Sequence, residues 1–443
     1  MTLLEKLQAY SDSMLPMHMP GGKRRFASDL PYHLDVTEVE GLDDLHDAQG
    51  ILADMQSRAS ALWGAERSFV SVGGSTAGLL AAVRAVGDGD LLLARNCHKS
   101  VYNAACLCKK SAYYVLPTDG EIRPQDIEQA LQTHPAITAA VITSPTYEGV
   151  ISDVGGIASI CREHGVTLIV DEAHGAHLGF AFGTSAVTLG ADIVVQSLHK
   201  TLPALTQTAL LHCKNAYADA LARELAVFQS SSPSYILMAS ADECFAFLAS
   251  DAGKTAMRDY HANLLAVRQK LQDNLVHFHL LQTSKYDIGK LVILTDGTDC
   301  TGVRLAEILR EKYRIETEMA LPDSLTAMTS VCDGTEELNR FADAVLAIDR
   351  TVRHADTPPM PAVSLPEKVY DAHEVYGKHG SSVLFEQARG RVSLDYVWAY
   401  PPGIPLLVPG ERVSDTFLQT VDTLQKAGIP QKGMQSKNLL TVL

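Results

Sequence analysis

The feature that most restricts how this chain can fold is the form of its apolar runs, which are short, unbroken and separated by stretches of helical period. "RSFVSV" (67–72) reads as a strand, "STAGLLAAVRAV" (75–86) as a helix and "DLLLAR" (90–95) as a strand. The alternation continues through "AAVITS" (139–144), "GIASICREHG" (156–165) and "VTLIVDEAH" (166–174). This is βαβ wiring. Strands buried on both faces read as continuous Val/Ile/Leu, as "TLIV" and "DIVV" do, so the expected class is α/β with a mostly parallel sheet flanked by helices. Ligands of such sheets sit beyond the carboxyl ends of the strands, which directs attention to the residues that follow each run.

Near residue 285 the texture changes. "KLVILTD" (290–296), "GVRLAEILREKY" (302–313), "LTAMTSVC" (325–332) and "TEELNRFADAVLAI" (335–348) predict a smaller α/β unit. A proline-rich linker, "HADTPPMPAVSLP" (354–366), precedes a tail whose "YPPGIPLLVPGE" (400–411) excludes regular helix. The expected division is an N-terminal arm (1–45), a large domain (46–285), a small α/β domain (286–353) and a C-terminal subdomain (354–443).

A chain of 443 residues with 46% hydrophobic and 20% charged residues can build a sizeable core. Its net charge of −15 argues against a nucleic-acid partner and gives a slight bias toward cationic small molecules. No stretch is long and apolar enough for a membrane span, and the N-terminus lacks the pattern of a leader, so a cytoplasmic location is expected. The eight cysteines are scattered, and Cys106 and Cys108 lack a second pair to complete a zinc site, so reduced thiols and no metal are expected.

"VDEAHGAH" (170–177) admits three chemistries. As a helicase acidic box it needs an upstream phosphate loop; the nearest fragment, Gly253-Lys254-Thr255, has Leu248 where the first glycine belongs and lies downstream. As a zinc site, His174 and His177 lack a third ligand. The remaining reading sets Asp171 beneath a heterocyclic cofactor, and its demands can be checked elsewhere in the chain. Pyridoxal phosphate needs a lysine for covalent attachment, an acid opposite the pyridine nitrogen, a phosphate cradle and something flat against the ring.

The lysine is Lys200, directly after the apolar run "DIVVQSLH", with Ser197 and His199 beside it as phosphate donors. The acid is Asp171, costly to bury unless it meets a cation such as a pyridinium nitrogen. By strand alternation Ala173 shares its side and lies under the ring; His174 follows as a cofactor contact, and Glu172 points elsewhere. In "VGGSTAG" the glycines Gly73 and Gly74 free the backbone while Ser75 and Thr76 cap a helix whose first amides attract an anion. His98, at the end of the next strand, is the residue expected to stack on the ring.

Taken together, "GLDDLHDAQGIL", "GGSTAG", "ARNCHKSVYNA", "VDEAHGAH", "SLHKTLPALTQTA", "QSSSPSY" and "YPPGIPLLVPGE" resemble the ornithine/lysine/arginine decarboxylases of aspartate-aminotransferase fold, in order and over nearly the whole chain. The resemblance is to the short form, without an N-terminal wing domain. It implies the type I fold of pyridoxal-phosphate enzymes, with a seven-stranded-type sheet, and decarboxylation of arginine, lysine or ornithine to agmatine or a diamine, in polyamine supply or acid resistance. It implies Lys200, Asp171, His98 and His199 as the catalytic groups, with Lys200 or His199 as the proton donor. Ser75, Thr76, Ser197 and His199 would hold the phosphate, and Ser230 of a neighbouring subunit would complete it, which implies a homodimer or larger oligomer with shared active sites. The chain departs from the family pattern at Gly22, at Gly73 and at Glu148, an acid near the site mouth. Another enzyme of the same fold, such as an aminotransferase, and a silent cofactor-binding protein are the alternatives.

Overall fold

The computed structural model describes residues 15–17, 43–356, 365–399, 404–426, 428–429, 431–433 and 439–443. Gly22, most of the N-terminal arm, residues 357–364 of the linker and 400–403 of the proline-rich turn lie outside the described residues.

Seven strands form the main sheet: β1 (Arg67–Ser71), β2 (Asp90–Ala94), β3 (Ala112–Val115), β4 (Ile137–Thr143), β5 (Thr167–Asp171), β6 (Ile193–Ser197) and β7 (Ala209–Cys213), in the order β1-β7-β6-β5-β4-β2-β3. Every pairing is parallel except those of β7, which runs antiparallel between β1 and β6. β6 and β7 are buried at every position, which is why they read as apolar without alternation. Helix α1 (Gly74–Ala85) lies close against this layer because Gly78 has no side chain: a Cβ there would stand 2.8 Å from Leu211 Cδ1 and 3.0 Å from Val195 Cγ1. Helix α2 (Lys99–Leu107) begins directly beyond β2.

The chain then builds a four-stranded antiparallel sheet from His279–Leu280, Lys290–Leu294, Ser324–Met328 and Met319–Ala320. The helices Asp251–Asn274 and Thr335–Asp349 pack with it in one apolar core that also takes in Leu15, Met17, Trp63 and Leu198. A third, smaller core around Val397, Leu407, Phe417 and Leu440 belongs to the C-terminal strands and the helix Asp415–Lys426. It is joined to the main sheet by Arg95, whose guanidinium makes bonds of 2.6 and 2.9 Å to both oxygens of Glu411. Among the described residues no helix is long and apolar enough to cross a membrane.

Candidate active site

The carboxyl ends of β5 and β6 meet in a buried polar knot. β6 ends at Ser197, and Leu198–Thr201 winds into a single helical turn (α3) that carries His199 and Lys200. Lys200 Nζ lies 2.9 Å from His174 Nε2, in the turn that follows β5. Burial, offset in part by the Asp171 and Glu318 charges, brings the Lys200 amine down to about 8. His174 is held well below its ordinary value by burial and by the neighbouring Lys200 and Lys290. Its ring is therefore neutral, and its Nε2 pairs with the Lys200 amine.

Asp171 is 2% exposed, and its Oδ1 accepts from the Ala173 amide at 3.1 Å. Burial pushes its carboxyl up, and the Lys200 charge pulls it back. Strand alternation does not relate Ala173 to Asp171, since β5 stops at Asp171 and the chain turns, with the Ala173 amide donating back to the Asp171 carboxylate. Ser197 and His199 stand in different elements. α3 begins between them, so a two-residue repeat does not relate them. Ser197 Oγ is fully buried with no hydrogen-bond partner among the described residues, while His199 Nδ1 contacts the Thr208 carbonyl at 3.1 Å. His199 is lowered to about 4, by burial first.

The glycine-rich turn also differs from expectation. Ser75 and Thr76 do not cap α1. The helix starts at Gly74, Gly73 is its N-cap without any side-chain cap bond, and Ser75 and Thr76 occupy its first turn. Gly74 takes φ +70°, a left-handed conformation that suits glycine, and its amide donates to the Gln207 carbonyl at 2.8 Å. The first-turn amides are thus left without a side-chain acceptor, in the position where a helix binds an anion. His98 is the N-cap of α2, its Nδ1 2.8 Å from Ser100 Oγ; burial and the Lys200 charge lower it to about 4. Ser230 lies at the surface, its carbonyl 2.8 Å from His46 Nε2.

His174 and His177 do not act together, because His177 Nε2 bonds Asp287 Oδ1 at 2.9 Å. Glu172 is structural: its oxygens accept from Ser185 Oγ, the Ala186 amide and Gln196 Nε2. Glu148 is half-buried, and burial raises its carboxyl. Sequence reasoning missed Tyr147, whose ring packs at 4.6 Å on His174 and whose hydroxyl bonds Glu318 Oε1. It also missed Glu318, Asp287 and Lys290. These last come from the smaller sheet and its approaches, more than a hundred residues after Asp171, and no local pattern ties them to β5.

The chemistry of these residues fits pyridoxal phosphate. Ser197 Oγ and His174 Nδ1 are buried polar atoms with no hydrogen-bond partner among the described residues, an arrangement that costs about 1–3 kcal/mol per group unless a ligand repairs it. The uncapped start of α1, the buried Asp171 and the depressed lysine answer respectively to a phosphate, a basic ring nitrogen and a carbonyl carbon.

A lysine above the carboxyl ends of a mostly parallel seven-stranded sheet fits the type I aminotransferase fold, and comparison with known proteins narrows it. The chain belongs to the Orn/Lys/Arg decarboxylase family: the family's major domain matches residues 23–304 and its C-terminal domain residues 352–429. It is 34% identical over 424 residues to the uncharacterized protein YaaO of Bacillus subtilis, covering 88% of this chain and 85% of that one. To the arginine decarboxylase of Halalkalibacterium halodurans it is 27% identical over 465 residues, covering 96% and 93%. The structure of Escherichia coli constitutive lysine decarboxylase superposes with a TM-score of 0.75 at 19% identity, over 89% of this chain and 74% of that one.

Proposed function

We propose that this protein is a pyridoxal-phosphate-dependent decarboxylase of a basic amino acid, arginine, lysine or ornithine, releasing carbon dioxide and agmatine or a diamine. The observation that carries the reading is the Lys200–His174 pair beside the buried Asp171. Family membership and near full-length similarity to an arginine decarboxylase support it. When bound, the cofactor supplies a sink for the electron pair that remains as the carboxylate departs.

The chain's own part is to hold the cofactor, orient the substrate and manage one proton. Lys200 would attach the cofactor, and the buried Asp171 would pair with its ring nitrogen and stabilise the proton there. Ser197, Ser75, Thr76 and the first amides of α1 would hold the phosphate, with Ser230 of a second subunit completing it; a surface position suits that role. His98, Ala173 and His174 would supply the contacts to the ring.

Of the two candidate proton donors, Lys200 is favoured over His199. The Nδ1–H of a neutral His199 donates to the Thr208 carbonyl, leaving Nε2 bare and able only to accept. With an amine near pKa 8, Lys200 holds a proton at neutral pH and can give it to the substrate carbon once carbon dioxide has left. Glu318, half-buried and held by Tyr147, offers a carboxylate to a cationic substrate. We place the activity in the cytoplasm, as a homodimer, in polyamine supply or acid resistance.

The test is to incubate protein and pyridoxal phosphate separately with arginine, lysine, ornithine and a neutral amino acid, following carbon dioxide and the amine product by mass. Release from one basic amino acid, lost in Lys200→Ala, is expected and names the substrate. Amino-group transfer to a keto acid without carbon dioxide would replace the reading with transamination.

A further inference from the structure

The site described so far gives no role to the turn at 43–52, which leads into the helix Ile51–Trp63, or to most of the serine-rich stretch at 229–235 that meets it. The turn is locked by Asp43, whose carboxylate accepts from the amides of Asp44, Gln49, Gly50 and Leu52 at 2.7–3.0 Å. It holds the serine-rich stretch at two points. His46 Nε2 donates to the Ser230 carbonyl at 2.8 Å, and the Tyr235 hydroxyl donates to the Asp43 carbonyl at 2.5 Å. Gln229, next to Ser230, is half-buried, and its Oε1 accepts from the Val72 amide at 2.8 Å.

That amide is the first of the glycine-rich turn. β1 ends one residue earlier, at Ser71, and Ser71 pairs with Ala209 of β7, which on its other side pairs with Ser197 at the end of β6. The turn therefore starts level with the buried Ser197 Oγ, two strand spacings, about 10 Å, away. Its amides are accounted for in order. Val72 donates to Gln229, Gly73 to Ser71 Oγ at 3.3 Å and Gly74 to the Gln207 carbonyl at 2.8 Å. Ser75 and Thr76 come next, and theirs are the amides left to an anion. Ser71 belongs to the turn and Gln207 offers its backbone, so the path of the turn depends on the Gln229 side chain, 157 residues along the chain. Gln229 Cγ also covers the bare face of Gly73, 3.7 Å from where a Cβ would stand.

We propose that Gln229, braced through Ser230 by His46, is a positioning residue for the cofactor's phosphate: it fixes the Val72–Gly74 turn so that the Ser75 and Thr76 amides stand where the phosphate arrives. Gln229 acts through the backbone of the turn, so its effect falls on the phosphate and not on the ring or on Lys200. His46 acts one bond further away, through the carbonyl of the neighbouring residue. The proposal rests on the functional reading in taking this turn as the phosphate cradle.

The test is equilibrium dialysis of the full-length protein against pyridoxal phosphate and, separately, against pyridoxal, which lacks the phosphate. Parent protein should hold the phosphate ester more tightly. Gln229→Met, of similar volume but without an acceptor for the Val72 amide, should weaken retention of pyridoxal phosphate about tenfold and leave that of pyridoxal within about twofold. His46→Phe should give a smaller loss of the same kind, and His46→Gln, which keeps a donor near the position of Nε2, should restore it; if Gln229→Met does not fold, the His46 pair carries the same comparison. Equal weakening of both ligands, or none in a folded Gln229→Met, overturns the proposal, as does a His46→Phe loss that His46→Gln fails to reverse. If parent protein holds the two ligands alike, the cradle reading fails and the proposal with it, so the parent arm tells the two failures apart.

Discussion

Two buried charged sites in this molecule are built on opposite terms. At the joint between the main sheet and the C-terminal unit, Arg95 and Glu411 are at most 2% exposed, meet through two bonds, and Glu411 also accepts from the Val408 amide. The Tyr114 ring lies 4.9 Å beneath the guanidinium. Burial works against the Arg95 charge, yet Glu411 holds it firmly protonated. At the Lys200 site Asp171 and His174 are buried and Lys200 is half-buried, the amine is pulled down to about 8, and Ser197 Oγ and His174 Nδ1 have no hydrogen-bond partner among the described residues. A closed pair fixes a joint; a buried site with polar atoms left over is shaped for something that arrives. The contrast locates function more sharply than burial or charge does separately.

The comparison can be broken in several places. The largest expected effect is on Lys200→Ala, which should reduce carbon dioxide release by at least about 10⁴-fold while the cofactor-free protein unfolds no earlier than the parent. A variant that keeps substantial turnover would show that the open site is not the active one. Next, Glu411→Gln should cost about 3–5 kcal/mol in chemical denaturation, because it strands the Arg95 charge, with turnover per folded molecule unchanged. Arg95→Met/Glu411→Leu should recover most of that loss, and a double variant no better than the single would refute the closed-pair account.

A third effect concerns pH. The Lys200 amine falls from 10.5 unfolded to about 8 folded, so between those values the unfolded state binds the extra proton and stability rises with pH. Relative to Lys200→Met, cofactor-free parent protein should therefore gain about 3 kcal/mol as pH rises from 8 to 10.5; a flat difference would contradict the depressed amine. The smallest effect is expected for Ser197→Ala. Removing an unpartnered buried hydroxyl should raise the cofactor-free stability by about 1 kcal/mol while weakening cofactor retention on dialysis. Loss of stability instead would mean that Ser197 is already satisfied.

Much of the architecture was legible because it is written in local periods. The runs 67–72, 90–95, 139–144 and 166–174 became β1, β2, β4 and β5 within a residue or two at most ends, and α1 and the 335–348 helix fell where the 3.6-residue repeat put them, while the 302–313 run is α-helical only to Ile308 and a π-helix over Leu309–Tyr313. Lys200, Asp171 and the Gly73–Gly74 turn were found because each ends or follows an apolar run, where solvated charge or a bare backbone is out of place. The local geometry was less legible. Ser75 and Thr76 read as caps because their chemistry suits that role, but the left-handed Gly74 starts the helix one residue earlier.

What the sequence determined by itself was the fold class, the family and the residues that end β5 and β6, since these depend on the order of apolar and polar residues along a few consecutive positions. What only the tertiary structure decided was which distant groups share the space around Lys200. His174 reaches its amine across 26 positions, Tyr147 meets Glu318 across 171, and His177 finds Asp287 across 110. The bonds and charges that set a buried amine's proton affinity fall off steeply with distance in space and take no account of separation along the chain, so they exist only once the two sheets have packed together.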